Sequence, residues 1–398
     1  MANNNENKIL NVPHLRFPEF SGEWDSERLE NLTVSIGDGL HSTPVYCEQG
    51  DYCFINGNNI IDGKVSINEK TLRVTKEEAY KYNAALLKVD TILMSINGTI
   101  GNVALYNGEN IMLGKSACYI NPSSRIVREY LFHILSSPRI QAYFQGEVTG
   151  TTIKNLSLRT IRGSKILLPS NEEQKKIARL FSLVDERIAT QNKIIEKLQS
   201  LIKGIGDKLL FNEAWTTTRL CDILTERIEK SKMNNQHEVL SSTVKGIYSQ
   251  REYFSKDIAS ENNVGYKIIH LHDIVLSPQN LWMGNINYNN RFDIGIVSPS
   301  YKIYKVSPKF DKHFIASMLR THRALYNYQL VSEQGASVVR RNLNMEAFEQ
   351  LTFKIPSYDL QVKIGHTLSL LQNQLDTAFA TKQAYHQQKQ YLLSQMFI

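Results

Sequence analysis

The most regular pattern of hydrophobic positions in the chain occurs twice. In the first copy, apolar side chains alternate at spacings of four and three residues from Ile177 to Leu209, and only Gln191 is polar. The second copy keeps this spacing from Ile364 to Met396, with two lysines in its middle. Apolar residues repeated in this way form the seam of a coiled coil. Each copy is therefore predicted to be one long helix.

Both predicted helices begin after a proline. Pro169 precedes the first, where Ser170 as N-cap and Glu173 three residues later have the spacing of a capping box. Pro356 precedes the second, but Leu360 stands where the first copy has Glu173, so no capping box is expected there. A helix of about 40 residues is about 60 Å long, which favours a spacer over an element buried inside a domain.

The two seams are expected to pack against each other in an antiparallel pair. Packing between the copies would bury the apolar positions of both helices. The residues predicted to make this helix pairing are Ile177, Phe181, Val184, Ile188, Ile195, Leu198, Ile202, Ile364, Leu368, Leu371, Leu375, Tyr385 and Leu392.

The duplication also covers the segments that precede the helices. An offset of 187 residues pairs the two helices, residues 90–106 match residues 273–288 at an offset of 183, and residues 24–32 match residues 215–224. Residues 150–158 match residues 335–345 if the second copy carries a short insertion. By contrast, residues 35–85 and 225–265 show no match to each other. Two copies of one frame with different inserts predict two surfaces that differ in what they bind.

The segments between the shared anchors predict an α+β fold. Short β-branched runs bounded by Gly and Asn predict strands, while residues 129–144 and 311–330 predict helices. Each globular half is expected to have a twisted mixed sheet. The predicted order is residues 1–165, first domain; 166–213, first spacer helix; 214–352, second domain; and 353–398, second spacer helix. An antiparallel helix pair would relate the halves by a pseudo-two-fold axis.

Composition narrows the class of protein. With 398 residues and 42% hydrophobic side chains, a soluble globular protein is expected, and the net charge of +7 favours a polyanionic partner such as nucleic acid. The polar residues 1–23 lack a signal-peptide layout and no run reaches the length of a membrane span, so we expect a cytoplasmic location. The four cysteines have no metal-ligand spacing. We expect reduced thiols and no metal site.

Three motifs resemble catalytic or metal-binding elements without completing one. Residues 108–116, GENIMLGKS, have one residue too many between their glycines for a phosphate-binding loop. Residues 121–124, Asn-Pro-Ser-Ser, lack the second proline and the aromatic ring of an adenine methyltransferase motif. His270, His272 and Asp273 lie close together, but the other half has no matching histidines. We expect no catalytic residues in this chain.

Amide and basic side chains near the matched turns have the chemistry of DNA contacts. Arg and Lys can bind guanine or phosphate, and Asn and Gln can bind adenine. Turn formation explains the asparagines equally well. The predicted DNA-binding residues are Asn97, Asn102, Lys154, Asn155, Gln279, Asn280, Asn285, Arg340, Arg341 and Asn342.

The duplicated layout, the segment ILLPSNEEQKKIA at residues 166–178 and the segment GTTIKNLSL at residues 150–158 resemble the specificity subunit of Type I restriction-modification systems. The resemblance covers nearly the whole chain, although FKIPSYDLQVKI at residues 353–364 departs from the pattern. It implies that each globular half is a target-recognition domain for one half of a bipartite, asymmetric DNA target. It also implies that the paired helices set the gap between the half-sites.

The same resemblance implies the partners. Double-stranded DNA, two modification (methyltransferase) subunits and restriction (translocase and endonuclease) subunits are expected, and no membrane. No cofactor is expected in this chain, whereas S-adenosylmethionine, ATP and Mg are expected in the partner subunits, which methylate adenine at N6 and cleave DNA. This chain would be a non-catalytic recognition subunit.

Two other interpretations stay open. The chain could be a duplicated coiled-coil adaptor that binds protein without binding DNA, or, with less support, a self-contained DNA enzyme. The charged outer face of the first helix, with Lys175, Lys176 and Arg179, is compatible with solvent or with a partner protein. A DNA-binding protein should lose affinity steeply as salt rises, and an adaptor should not.

Overall fold

The structure is a computed structural model that describes residues 11–82, 84–150, 154–253, 262–334 and 340–397. Parts of the predicted lead-in (1–10) and of the matched segments (151–153 and 335–339) lie outside the described residues. The chain divides into two compact units. Unit 1 comprises Met1–Gln191 and Thr381–Ile398, and unit 2 comprises Asn192–Ala380. Each unit therefore contains one globular half together with part of both long helices.

Unit 1 is built on a four-stranded antiparallel sheet. In chain order the strands of unit 1 are β1 (Asp25–Arg28), β2 (Thr33–Asp38), β3 (Tyr52–Ile55), β4 (Ile60–Ile61), β5 (Lys64–Val65), β6 (Arg73–Val74), β7 (Ile92–Ser95), β8 (Val103–Leu105), β9 (Ile111–Leu113), β10 (Ala117–Pro122) and β11 (Lys165–Leu168). The main sheet has the order β2-β10-β7-β8, and a smaller sheet has the order β6-β3-β9. Strands β3 and β9 are parallel, so the smaller sheet is mixed.

Four helical segments of unit 1 share the core of the main sheet. They are α2 (Arg128–Leu135), α3 (Pro138–Gly146), α4 (Leu158–Gly163) and the first part of α5 (Asn171–Leu209), whereas α1 (Lys76–Tyr82) packs on the smaller sheet. The largest fully buried side chains between these helices and the sheet include Tyr130, Phe144 and Phe181. Burial of such aromatic groups supplies much of the free energy that holds a helix on a sheet.

Unit 2 repeats this plan. Its strands are β12 (Thr216–Arg219), β13 (Leu224–Glu226), β14 (Leu240–Thr243), β15 (Gly246–Ser249), β16 (Lys267–His270), β17 (Ile274–Leu276), β18 (Ile286–Tyr288), β19 (Ile294–Val297), β20 (Lys302–Val306), β21 (Ser332–Gln334), β22 (Arg341–Leu343) and β23 (Thr352–Ile355). Its helices are α6 (Leu220–Ile223), α7 (Gln250–Tyr253), α8 (Lys312–Met318), α9 (His322–Leu330), α10 (Met345–Glu349) and α11 (Tyr358–Met396).

The main sheets of the two units have the same topology. Unit 2 has the order β13-β20-β17-β18, which repeats β2-β10-β7-β8, and the pair β12-β23 repeats β1-β11. The predicted α+β class and the internal duplication are therefore confirmed.

The inserts differ between the units, as the sequence predicted. Strands β9 and β19 occupy matching places along the chain, yet β9 pairs in parallel with β3, whereas β19 pairs antiparallel with β16. The shared sheet thus carries a different second layer of strands in each unit.

In unit 1 the two long helices run antiparallel. Phe181 of α5 stacks on Phe397, with ring centroids 5.5 Å apart, and Asp185 one turn later accepts a 2.6 Å bond from Lys389. As residue numbers rise on α5, those of its partners fall, which defines an antiparallel pair. Ile177 packs in the same core.

The other predicted pairing residues are divided between the two units. In unit 2, Ile195, Leu198 and Ile202 form one cluster with Leu375 and Ala378. The remaining residues are placed as follows: Val184 and Ile188 are buried, Leu371 and Tyr385 are half-buried, Leu392 packs on the core of unit 1, and Ile364 and Leu368 join the core of unit 2.

The start of α5 differs from its prediction in one respect. Ser170 Oγ accepts a hydrogen bond from the Glu173 backbone N–H at 3.3 Å, as expected for an N-cap. The Glu173 carboxylate, however, accepts two 2.7 Å bonds from the guanidinium of Arg16. The predicted capping box is thus only half formed, because an ion pair with a distant residue takes the carboxylate.

None of the helices in the described part of the chain is long and apolar enough to cross a lipid bilayer.

Candidate nucleic-acid interface

The turn that joins β7 to β8 in unit 1 and the turn that joins β17 to β18 in unit 2 have a feature in common. We name residues 96–102 the tip loop of unit 1 and residues 278–285 the tip loop of unit 2. In each, a glycine with positive φ, Gly101 (+84°) or Gly284 (+89°), stands one position before an asparagine. Residues with a Cβ rarely adopt such a φ. The need for glycine explains why the sequence motif Gly-Asn recurs here.

The hydrogen bonds that close the tip loops also match. The Ser95 N–H donates to the Asn102 carbonyl at 2.8 Å, and the Ser277 N–H donates to the Asn285 carbonyl at 3.0 Å. The distance along the chain is seven residues in unit 1 and eight in unit 2. The alignment of residues 90–106 with 273–288 at a single offset of 183 is therefore wrong for the first strand and right for the second. The tip loop of unit 2 is one residue longer than that of unit 1.

A second segment closes on each tip loop. We name residues 154–156 and 341–343 the clamp segments. In unit 1 the Gly98 N–H donates to the Lys154 carbonyl at 3.0 Å, and in unit 2 the Arg341 N–H donates to the Gln279 carbonyl at 3.1 Å. Two stretches that are far apart in the sequence thus form one surface in each unit.

In unit 1 this surface presents amide and ammonium groups. Lys154 and Asn155 are exposed, and Asn97 is half-buried, with its Nδ2 donating to the Lys115 carbonyl at 3.1 Å. The side chain of Lys115 is exposed beside them. The structure therefore brings together three predicted residues and adds Lys115.

In unit 2 five of the predicted residues reach the surface wholly or partly, among them the half-buried Arg341. Gln279, Arg340 and Asn342 are exposed, and Asn280 is half-buried. Glu333 lies opposite Asn342 in the β21-β22 pair, so the basic groups here stand beside one acid.

Arg341 packs its side chain on an aromatic ring. Its guanidinium carbon lies 4.2 Å from the centroid of the Trp282 ring. Such stacking is favourable because the ring face is electronegative. The tip loop of unit 1 has Thr99 where that of unit 2 has Trp282, counting back from the shared glycine.

The matched asparagines at the ends of the tip loops have different surroundings. Asn102 is exposed, and its Nδ2 donates to the Ile60 carbonyl at 3.1 Å. Asn285 is only 5% exposed; its Oδ1 accepts from Ser242 Oγ at 2.9 Å and its Nδ2 donates to the Ser242 carbonyl at 3.0 Å. The structure supports a structural role for Asn285 in place of the predicted DNA contact, because both ends of its amide are engaged.

Two residues of this surface were missed from the sequence. Trp282 had a usable signal, since a large aromatic side chain is unusual in a polar turn. Lys115 had none, because it stands in the incomplete phosphate-loop motif. In the structure that motif is strand β9 followed by a turn into β10, so only the fold reveals its proximity to Asn97.

The His270, His272 and Asp273 group has a structural explanation. Asp273 is buried and accepts a hydrogen bond from Arg227 Nη2 at 3.1 Å, in an ion pair in which Arg227 Nε lies 2.7 Å from the carboxylate. His270 Nε2 lies 2.9 Å from Glu229. Burial lowers the pKa of His272 below its usual value. Among the described residues, no group of three or more His, Cys, Asp or Glu side chains could hold a metal ion.

The Asn-Pro-Ser-Ser motif is likewise part of the sheet. Asn121 is buried at the end of β10, where its Nδ2 donates to Ser35 Oγ at 2.8 Å and its Oδ1 accepts from Thr91 Oγ1 at 2.5 Å. Its amide is used to join neighbouring strands.

Comparison with known proteins identifies relatives of one kind. Residues 22–200 match the family described as Type I restriction modification DNA specificity domain. The chain is 23% identical over 263 residues to the Type I restriction enzyme MjaIX specificity subunit of Methanocaldococcus jannaschii, a match that covers 61% of this chain and 60% of that protein. It is 28% identical over 161 residues to the Type I restriction enzyme EcoBI specificity subunit of Escherichia coli, covering 39% of this chain and 34% of that protein. The matches thus span 60% or less of these relatives' lengths.

The fold is shared over nearly the full length. The crystal structure of a Type-I restriction-modification system S subunit from M. genitalium superposes with a TM-score of 0.65 at 18% identity, covering 97% of this chain and 99% of that one. This likeness shows the fold. The sequence matches and the duplicated frame are thus similar to those of Type I restriction-modification specificity subunits.

Proposed function

We propose that this chain is the DNA sequence-specificity subunit of a Type I restriction-modification complex and that each unit reads one half of a bipartite, asymmetric target. One observation carries the proposal. The tip loop and clamp segment recur in both units and a backbone bond joins them in each, with the donor in the tip loop of unit 1 and in the clamp segment of unit 2, while their side chains differ. One frame with two sets of side chains is suited to reading two different sequences along one duplex.

The side chains of each surface suggest how the work is divided. Lys154 and Arg340 are exposed cations that would bind phosphates and fix the position on the duplex. Exposed amides such as Asn155, Gln279 and Asn342 can form paired hydrogen bonds to base edges, of which adenine is the usual target. Asn97, Asn102 and Asn280 stay weaker candidates, since two are half-buried and Asn102 already donates one bond.

The long helices offer equivalent surfaces for partners. Leu183 on α5 is 40% exposed, and Leu370, its match at an offset of 187 residues, is 50% exposed. Apolar side chains left uncovered at the same repeat position support the docking of two copies of one partner. We propose that these partners are the modification subunits and that restriction subunits join the same complex.

In this proposal the chemistry belongs to the partners. S-adenosylmethionine, ATP and Mg would be bound by the modification and restriction subunits, which methylate adenine at N6 and cleave DNA. This chain would supply the recognition of sequence and hold those subunits on their target.

Exchange of one domain tests the division into two readers. Residues 24–160 are replaced with the matching segment of a relative, and methylated adenines are mapped in cells that carry the modification subunits. One half-site should change while the other stays the same. Replacement of residues 215–347 is the matched control and should change the opposite half-site. Two half-sites that always change together would contradict the proposal.

The alternative of a protein-only adaptor is tested by salt. A complex of this chain with its modification subunits should lose DNA affinity steeply as salt rises, because each phosphate contact releases counterions. The modification subunits alone are the control. If adding this chain does not increase the affinity for duplex DNA, the adaptor interpretation is the better one.

We also propose that the long helices set the gap between the half-sites. Helices α5 and α11 contain 39 residues each. Four residues inserted at Gln191 would lengthen one helix by about 6 Å, which corresponds to roughly two base pairs. The mapped target should keep both half-sites and gain a longer gap. Four residues inserted in the exposed turn at Asn107 and Gly108 are the control and should leave the gap unchanged.

A further inference from the structure

The clamp segments carry different cations at their matched first position. In unit 1 this residue is Lys154, which is exposed, and in unit 2 it is Arg341, which is half-buried against Trp282. A lysine presents a point charge on a flexible stem, whereas an arginine presents a planar fork of donors. The two units are therefore equipped for different contacts at the same place.

The Arg341 side chain is held from both sides. Its own backbone N–H donates to the Gln279 carbonyl at 3.1 Å, which fixes the start of the side chain against the tip loop. Its guanidinium carbon lies 4.2 Å from the centroid of the Trp282 ring. Both anchoring residues belong to the tip loop, so loop and side chain form one element.

Trp282 is itself fixed to the body of unit 2. It stands in a 3-10 turn, Leu281–Met283, in which Leu281 is fully buried and the following Gly284 has a φ of +89°. The Trp282 carbonyl accepts a 3.4 Å bond from Gln329 Nε2 on α9. The backbone that carries the Trp282 ring is therefore fixed to unit 2, and we call this ring the platform.

The N–H groups of a guanidinium lie in one plane, and stacking on a ring fixes the direction of that plane. Two parallel donors can then face a partner. Guanine presents two acceptors, O6 and N7, on its major-groove edge that match this fork. A phosphate needs no such fixed plane, since a lysine serves it well. Ordering the side chain before binding also reduces the entropy lost on binding.

We propose that Arg341 reads a guanine in the half-site recognised by unit 2, and that Trp282 is the positioning residue that presents it. The inference rests on the proposed DNA-reading function and deepens it. Unit 1 lacks the platform, because Thr99 replaces the tryptophan, and its Lys154 binds a phosphate instead.

Methylation mapping and DNA binding by the full complex test the assignment. Arg341→Ala should lower discrimination at one base pair of one half-site by about 10- to 100-fold, the range of a bidentate contact, and leave the other half-site unchanged. Arg341→Lys should lose most of this discrimination, because the charge remains but the planar fork that stacks on the ring is gone. Lys154→Ala is the matched control and should weaken binding to all sequences alike and reduce the salt slope by about one.

Trp282 is tested through the same base pair. Trp282→Ala should relax that position by a smaller factor than Arg341→Ala, and Trp282→Phe should restore most of the discrimination, because a ring face remains. A general loss of folding would instead weaken both half-sites together, and thermal unfolding of each variant separates the two cases.

Two results would overturn the assignment. Full specificity in Arg341→Lys would show that only the charge matters, as would an Arg341→Ala variant that loses affinity equally for all sequences. Failure of the proposed function itself looks different, since the unaltered chain would then confer no sequence preference on the complex.

Discussion

Unit 1 and unit 2 each attach the start of a long helix to the globular domain through a glutamine at the same position of the repeat. Gln174 Nε2 donates to the Pro169 carbonyl at 3.0 Å while its Oε1 accepts from the Val127 N–H at 2.9 Å, which ties the start of α5 to the start of α2. Gln361 makes the equivalent bonds at the start of α11, at 2.9 and 3.0 Å. Both glutamines are 2% exposed. A buried amide whose two ends are both bonded fixes the angle between helix and domain, so the repeat retains it.

One residue earlier the units differ. Glu173 is 1% exposed and is held by Arg16, whereas its match Leu360 is 38% exposed. The segment that carries Arg16 precedes the repeat, and unit 2 has no second copy of it in sequence. Trp24 shows the same difference, being 3% exposed where Trp215 is half-buried. The comparison teaches that the frame is shared and that unit 1 completes it with a residue from outside the repeat, Arg16, whereas the matching positions of unit 2 stay partly exposed.

Breaking the Arg16–Glu173 pair should have the largest effect on this comparison. Arg16→Ala leaves a buried carboxylate without its partner, which should lower the free energy of unfolding by about 3 kcal/mol. The measurement is urea unfolding of the full chain. Arg179→Ala removes an exposed ion pair with Glu186 and is the control, with an expected change below about 0.5 kcal/mol.

A double variant sharpens the test. Arg16→Leu combined with Glu173→Leu gives unit 1 the residue that unit 2 has at this position, and it should recover most of the stability lost in Arg16→Ala, because no charge is left buried. A double variant as unstable as the single one would show that Arg16 acts through packing on Trp24 and not through its charge.

The sequence predicted the parts of the molecule that follow from short-range rules. The spacing of apolar residues predicted the long helices. Gly101 and Gly284 predicted the tip loops, because the backbone there has a positive φ that favours glycine. The role of Glu173 was predicted wrongly because the capping rule considers only neighbours, whereas Arg16 lies 157 residues away. Burial of Asn285 could not be foreseen either, since its partner Ser242 lies in an insert that has no counterpart.

A buried histidine makes the stability of unit 1 depend on pH. His133 is 2% exposed and lies 4.9 Å from the Phe181 ring, and burial lowers its pKa from 6.5 to about 3. The folded state therefore resists a proton that the unfolded state accepts. Stability from this group is complete above about pH 6.5 and is lost as pH falls towards 3, by about 2 kcal/mol at pH 5.

The pH effect is measured as a difference between variants. Urea unfolding at pH 7 and pH 5 is compared for the unaltered chain and for His133→Phe, which should lose about 2 kcal/mol less on acidification. The match in unit 2 at an offset of 184 residues is Ser317. Burial also lowers the pKa of His272 and His313 in unit 2, but both are present in each variant compared, so their contribution cancels in the difference. The exposed His386 provides a control, since His386→Gln should keep the full dependence. An unchanged pH dependence in His133→Phe would place its origin elsewhere.

The smallest expected change in unfolding free energy is the difference between alanine variants of the two matched asparagines of the tip loops. Asn285→Ala removes two buried bonds with Ser242 and should cost about 1 kcal/mol of unfolding free energy. Asn102→Ala removes an exposed side chain and should cost less than about 0.5 kcal/mol. If Asn102 contacts DNA, its variant should instead bind duplex DNA more weakly in the full complex. Opposite signatures at one aligned position would show that the frame uses an asparagine for structure in one unit and leaves it available for binding in the other, whereas equal losses of stability would remove Asn102 from the DNA-binding surface.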